Sequence, residues 1–263
     1  MKYLITGASG FIGFHLAKKL SSSNKNKVYL VDNFLRGKKD KDFLEIIKKK
    51  NVVFLNLDLT KKISYKKFPK KIDLIYHMAA INGTKNFYNI PDKVLYVNTM
   101  INLHILEFLK ENNSIKCIFA SSSEVYASTT SLLKNRIPSK ESIELSIDDI
   151  SNVRYSYAVS KIFGEMGFFS YALKHEINFN IVRFHNVYGP RMGYDHVIPE
   201  LYKRIENIGK NKSLELFGWS NTRSFCYIDD AVDALLLFRK NIKAKIVHIG
   251  DDREEIKIFD LCK

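Results

Sequence analysis

Tyr3-Leu4-Ile5-Thr6-Gly7-Ala8-Ser9-Gly10-Phe11-Ile12-Gly13 is the stretch that decides the fold. An apolar run of strand character ends at Thr6, three glycines follow at intervals of three, and a helical pattern from Phe11 to Leu20 begins inside the motif. The first glycine permits a tight turn, the second lets the backbone approach a pyrophosphate, and the third lets helix pack on strand. The new helix then presents unpaired N–H groups to phosphate oxygens. The spacing is G-x-x-G-x-x-G rather than the commoner G-x-G-x-x-G. Alone it is a weak signal, so the rest of the chain has to carry it.

Outward from that turn, short apolar strands alternate with helices. Val28–Val31, Val52–Leu57, Asp73–His77, Lys116–Ala120 and Phe179–Phe184 read as strands. Phe43–Lys50, Pro91–Asn112 and Tyr155–Lys174 read as helices, with Val94, Val97, Ile101, Ile105, Leu106 and Leu109 on one side of the long middle one. Such alternation predicts an α/β fold: a doubly wound parallel sheet of Rossmann type with helices on both faces. Past Arg183 the rhythm changes. Pro190, Pro199 and a turn at Gly218-Trp219 suggest a smaller C-terminal lobe. We place the nucleotide-binding domain at 1–185 and the lobe at 186–263, with a return to the first domain around 223–240. Val247–Gly250 reads as a strand, and Ile256–Lys263 as an amphipathic helix cut short after about two turns.

Composition narrows the class. The chain has 263 residues, enough for one sizeable core with a lobe attached, and it is 46% hydrophobic and 13% aromatic, which excludes disorder. No apolar run reaches the roughly 20 residues needed to span a bilayer. The N-terminus opens at once into a strand and offers no signal peptide, so the expectation is a soluble cytoplasmic protein. Cys117, Cys226 and Cys262 are far apart, form no C-x-x-C pair, and read as reduced thiols; no metal site is expected. The 42 basic and 28 acidic side chains leave a net charge of +14. Its lysines are scattered in short pairs and triplets with no nucleic-acid-binding signature, so we expect no nucleic-acid partner.

Two further features point to chemistry. Asp32 closes the second strand about 20 residues past the last glycine, where a carboxylate accepts ribose hydroxyls and repels a 2′-phosphate. That predicts NAD rather than NADP. Tyr157-Ala158-Val159-Ser160-Lys161 puts a phenol and an ammonium on one face of a helix. A free phenol titrates near pH 10, about three units too high for a base at neutral pH. A neighbouring ammonium and an oxidised nicotinamide lower it. Ser121-Ser122-Ser123-Glu124 adds hydroxyls and a carboxylate at the carboxyl edge of the sheet, where ligands bind in such folds.

Together these stretches resemble the extended short-chain dehydrogenase/reductase superfamily, in its NAD-dependent nucleotide-sugar epimerase/dehydratase branch. The matching pieces are ordered along the chain: Thr6–Gly13, Val31-Asp32-Asn33, Asp58-Leu59, His77–Ala80, Asn98, Ser121–Tyr126, Tyr157–Lys161, Arg183–Arg191 and Thr222–Asp230. The resemblance implies a catalytic set of Ser122, Glu124, Tyr157 and Lys161. It implies NAD contacts from Gly7, Gly10, Phe11, Ile12, Gly13, Asp32, Asn33, Asp58, Leu59, Ala79, Ala80 and Asn98, shared with Tyr157 and Lys161. Asn186, Arg191 and Arg223 would meet the nucleotide-diphosphate sugar, a task suited to a guanidinium, which grips phosphate oxygens in pairs. The implied chemistry oxidises sugar C4, with Tyr157 taking the hydroxyl proton, and the 4-keto sugar is then epimerised, decarboxylated or dehydrated.

Dehydratases of this group carry an Asp-Glu pair where this chain has Ser123-Glu124, which argues against 4,6-dehydration. Ser-Glu and Thr222-Arg223-Ser224-Phe225 resemble UDP-glucuronate decarboxylases, whereas Arg191–Pro199 and Tyr227–Asp230 look closer to 4-epimerases. The balance favours a 4-epimerase, with a decarboxylase as the alternative and a non-catalytic NAD-binding protein as a third reading. Ala127 departs from the glycine usual after Val-Tyr. Family members usually continue further, through another phosphate-binding arginine, so the lobe reads as incomplete. A homodimer through the two long helices is expected by the same resemblance.

Overall fold

A computed structural model describes residues 1–126, 128–129, 138–208, 213–216, 218–253 and 255–263. Ala127 lies outside the described residues. The main sheet is built from β1 (Lys2–Thr6), β2 (Lys27–Asp32), β3 (Val52–Asn56), β4 (Leu74–His77), β5 (Lys116–Ser122), β6 (Asn178–Phe184) and, much later in the chain, β10 (Ile246–Ile249). Their order across the sheet is β10-β6-β5-β4-β1-β2-β3, and every pairing is parallel. The chain first winds outward from β1 to β3 and then returns to the other side of β1 with β4. Between β1 and β4 lies the switch point at which such sheets open a ligand crevice.

The core follows from strand alternation. Tyr3 and Ile5 point to one face of the sheet and Leu4 to the other, and all three are buried. The first face is covered by α1 (Phe11–Ser21), α2 (Lys41–Ile47) and α7 (Ile228–Phe238), which contribute Phe14, Leu16, Phe43, Ala231 and Leu235. The second is covered by α4 (Pro91–Glu111) and α5 (Ser156–His175) through Ile101, Ile105, Leu109 and Phe168. α4 starts at Pro91, whose missing N–H costs nothing at a first helical position. α5 stops at Glu176, which takes a left-handed conformation with φ 56°. A short helix α3 (Thr84–Asn89) precedes α4.

Beyond β6 come β7 (Val187–Tyr188), α6 (Val197–Glu206), β8 (Thr222–Ser224), β9 (Cys226–Tyr227), β11 (Glu255–Lys257) and α8 (Ile258–Leu261). Here one sequence expectation fails. Ile256 and Lys257 do not open a helix: they pair antiparallel with Arg223 and Thr222, and only Ile258–Leu261 is helical. The three-residue β8 has unpaired backbone groups, and satisfying them outweighs a helix too short to be stable alone. A second point was not foreseen in the sequence. β10 extends the main sheet, with Val247 opposite Val182 and His248 opposite Arg183. Among the described residues no helix is long and apolar enough to cross a membrane.

Candidate active site

The glycine-rich turn is set by close packing. Gly7 has φ +67°, and a Cβ there would stand 2.8 Å from the Ala79 backbone after β4. A Cβ on Gly13 would come within 2.2 Å of the Gly7 carbonyl. Both positions therefore exclude a side chain. Gly10 caps α1 with no side-chain acceptor, so the amides of Phe11, Ile12 and Gly13 remain open at the helix N-terminus. The Asp32 carboxylate accepts from the Ser9 amide at 2.9 Å and the Phe34 amide at 2.8 Å, which fixes it at the end of β2. Asn33 folds the next turn by accepting from the Leu35 amide at 3.0 Å. Asp58 holds the corner after β3 through the amide and hydroxyl of Thr60, and Leu59 stands beside it.

A cavity of about 870 Å³ begins at this turn and is walled by Gly7, Gly10–Gly13, Asp32, Asn33, Asp58, Leu59, Ala79 and Ala80. It continues along the carboxyl edge of the sheet past Ser122, Glu124, Tyr157 and Lys161 to Asn186, Arg191 and Arg223. Asn98 is buried and does not belong to the wall. Its amide accepts from the Ile81 N–H at 2.8 Å, donates to the Ile81 carbonyl at 3.0 Å, and reaches Ser160 Oγ at 3.2 Å. It braces the strip Ala79–Gly83 from behind. Thr6 Oγ1 steadies the same strip by accepting from the Met78 and Ala79 amides.

Tyr157 and Lys161 come from the first two turns of α5. The Tyr157 ring stacks on Phe87 at 5.0 Å, and Ser122 and Asn82 are near enough to its hydroxyl to favour its ionised form. Burial raises the phenol's pKa, and the Glu124 charge raises it further. Ser122, Arg36 and Asn82 oppose that rise without cancelling it. The ionised phenol was expected from Lys161 and an oxidised nicotinamide together; in the protein alone, burial favours the protonated form. Lys161 Nζ lies 5.5 Å from the Tyr157 ring centre and donates to the Ala120 carbonyl at 2.6 Å. Burial pulls its own pKa down to about 7. The desolvation that raises a phenol lowers an ammonium, and at this site it outweighs their mutual influence.

Glu124 pairs with Arg154 at 3.3 Å. On the far side, Asn186 takes φ 40° and donates to the Ser224 carbonyl at 3.0 Å, so it stands next to Arg223. Arg191 is placed apart from that pair. Its guanidinium lies 3.7 Å over the Phe14 ring and is paired with Asp40, at the start of α2. Sequence reasoning missed Arg36. The loop after β2 folds back so closely that a Cβ on Gly37 would overlap Ser9 Oγ, and this sends Arg36 into the cavity. Its Nη2 lies 3.6 Å from a Cβ position on Gly83, and its charge acts on Tyr157 and His196. The only signal was an arginine four residues past Asp32 beside a glycine.

These residues fit a dinucleotide. The crevice at Gly7 and Gly13 is one that any Cβ would fill, open amides face it, and the Asp32 carboxylate stands at its edge. Comparison with known proteins agrees. The UDP-N-acetyl-alpha-D-glucosaminuronate decarboxylase of Bacillus cytotoxicus is 32% identical over 96% of this chain and 75% of its own length. A putative UDP-glucose 4-epimerase of Methanocaldococcus jannaschii is 31% identical over 99% of this chain and 81% of its own. The crystal structure of UDP-glucuronic acid 4-epimerase from Bacillus cereus, in complex with UDP-glucuronic acid and NAD, superposes with a TM-score of 0.80. It shares 28% identity and covers 99% of this chain and 80% of that one. The profile described as "NAD dependent epimerase/dehydratase family" matches residues 3–250, and the chain belongs to that family of NAD-dependent nucleotide-sugar enzymes.

Proposed function

We propose that the protein is a nucleotide-sugar 4-epimerase of the cytoplasm, working through oxidation at sugar C4. One observation carries this reading. Tyr157 and Ser122 line the same cavity as the glycine-rich turn. NAD, when bound, supplies the reversible two-electron acceptor and a positive charge near the phenol. Gly7, Gly10, Phe11, Ile12, Gly13, Asp32, Asn33, Asp58, Leu59, Ala79 and Ala80 hold it, with Asn98 acting from behind the wall. Tyr157 Oη, having lost its own proton to solvent when that positive charge is present, would then take the C4 hydroxyl proton, with Ser122 Oγ steadying that oxygen and Lys161 offsetting the phenolate's charge. Asn186 and Arg223 bind the diphosphate, joined by Arg191 once it exchanges Asp40 for phosphate oxygens. In this division residues 1–185 serve the cofactor and 186–263 the sugar nucleotide, with the chain returning to the first domain around 223–240 and at β10.

Glu124 decides between branches. Its carboxylate is engaged by Arg154, and Ser123 beside it offers no acid for a departing hydroxyl, which disfavours dehydration. A decarboxylase acting on a UDP-uronate is the second reading, favoured by the Ser123-Glu124 pair and by the likeness to the Bacillus cytotoxicus decarboxylase. A homodimer fits the apolar stripe Phe163, Met166, Phe169 and Leu173 exposed along α5, which sedimentation tests. The deciding experiment incubates protein and NAD with a panel of nucleotide sugars under mass spectrometry and NMR. Unchanged mass with an altered C4 coupling is the expected result. Loss of carbon dioxide selects decarboxylation, and no conversion of any sugar removes the enzymatic reading. Calorimetry with both cofactors tests Asp32, and tighter NADPH than NADH binding overturns its role.

A further inference from the structure

Arg36 leaves the loop after β2 beside the glycine-rich turn and ends on another wall of the cavity. Its near end is fixed by packing on that turn. The Lys38 N–H donates to the Ser9 carbonyl at 3.3 Å, and a Cβ on Gly37 would stand 2.7 Å from Ser9 Cβ. The far end is fixed by the strip that follows β4. Arg36 Nη2 lies 3.6 Å from the Cβ position on Gly83, and Asp195 of the lobe approaches the same position at 3.6 Å. That strip begins at Ala79, whose backbone stands 2.8 Å from the Cβ position on Gly7. The side chain therefore spans two walls that meet at Gly7. A ligand running from the open amides of α1 toward Tyr157 passes beside it.

Four arginines line the cavity. Arg154 pairs with Glu124, Arg191 pairs with Asp40, and Arg223 donates to the Thr222 carbonyl at 2.7 Å. Of the four, Arg36 alone donates to none of the described residues, and none of their carboxylates lies within ion-pair distance of it. Solvent in the cavity reaches the side chain, yet the walls desolvate the guanidinium enough to lower its pKa against Asp195 and Tyr157. A cation held there without a counter-ion is a cost to folding that an anionic ligand offsets.

The glycine-rich turn already calls for such an anion. A dinucleotide diphosphate carries two negative charges, and the N-terminus of α1 supplies only about half a unit of positive charge. We propose that Arg36 is a further cofactor-binding residue, whose guanidinium grips phosphate oxygens of the NAD diphosphate in pairs. It completes the neutralisation that the α1 amides begin, from a loop that carries Asp32 at its start. The proposal rests on cofactor binding at the glycine-rich turn and not on the fate of the sugar.

Calorimetry on protein dialysed free of nucleotide tests it, with NAD, ADP-ribose and UDP-glucuronate as separate ligands. ADP-ribose keeps the diphosphate and lacks nicotinamide. Losing charge-assisted hydrogen bonds in Arg36→Met lowers the affinity for NAD and for ADP-ribose alike, by about 10–100-fold. Arg36→Lys keeps the charge without the planar fork and falls between. Lys38→Met removes a charge from the exposed edge of the same loop and changes either affinity by less than about threefold. Circular dichroism confirms the fold of each variant. NAD affinity near wild type in Arg36→Met overturns the proposal. So does a loss for NAD without one for ADP-ribose, an equal loss in Lys38→Met, or a loss confined to UDP-glucuronate, which would assign Arg36 to a sugar carboxylate. If both dinucleotide affinities fall while wild type converts no nucleotide sugar, Arg36 keeps its place and the epimerase reading alone is lost.

Discussion

Replacing Asn98 by alanine separates two roles that one residue could play. The Asn98 amide makes both hydrogen bonds available to the Ile81 peptide, at 2.8 and 3.0 Å, and Ile81 is buried. Asn98→Ala leaves that N–H and C=O without partners, at about 1–3 kcal/mol each when no water replaces the amide. Water can enter the vacated space beside Ser160, so the lower part of the summed range applies, about 2–4 kcal/mol. For a chain of this size each kcal/mol moves the melting temperature by about 2–4 °C, giving a fall of about 5–15 °C. The strip Ala79–Gly83 loosens with it, so NAD binding weakens in the same variant. Thermal melts followed by circular dichroism, with and without NAD, provide the assay. A side chain that merely touched cofactor would leave the melt without NAD unchanged. A melting temperature within about 2 °C of wild type, together with weakened NAD binding, would refute the bracing role.

Three further outcomes follow from the geometry. Gly13→Ala forces a Cβ against the Gly7 carbonyl at 2.2 Å, costs about 1–3 kcal/mol, and lowers NAD affinity at least tenfold by calorimetry; unchanged affinity would contradict the close packing of turn on helix. Lys161 titrates at about 7 in the folded protein against an ordinary 10.5, so the unfolded chain holds more protons between those values and stability rises with pH across that window. Urea unfolding of Lys161→Met should lack this component, up to about 1.4 kcal/mol per pH unit, and equal slopes in the two proteins would dismiss it. Arg36→Met removes a cation that draws the Tyr157 phenol down, so the acid limb of the rate profile moves to higher pH by up to about one unit; no movement would place Arg36 outside the reaction.

Much of this was readable in the chain because it is local. The strand–glycine–helix unit, Asp32 closing β2 and the Tyr157–Lys161 spacing each lie within one element or its edge, where periodicity and backbone sterics fix position. The alternation of short apolar strands with helices announced a parallel sheet. What the sequence hid depends on segments far apart. Arg36 reaches the cavity because Gly37 packs on Ser9, and Ile256 is a strand because β8 needs a partner. Arg191 turns to Asp40, 151 residues away. Asn98 lay in the right region but behind the wall, since a buried amide next to an unpaired peptide group satisfies that group first. The burial of Tyr157 and Lys161, which works against charge on both, was also hidden, because sequence shows only their spacing on one helix.

The most direct test compares wild type with Tyr157→Phe, measuring turnover of a converted nucleotide sugar alongside NAD affinity. Removing Oη takes away the atom proposed to accept the C4 hydroxyl proton while leaving the ring on Phe87. The account predicts a loss of turnover of at least about 10²–10⁴-fold with NAD affinity near wild type. Turnover retained in a folded Tyr157→Phe protein would contradict it.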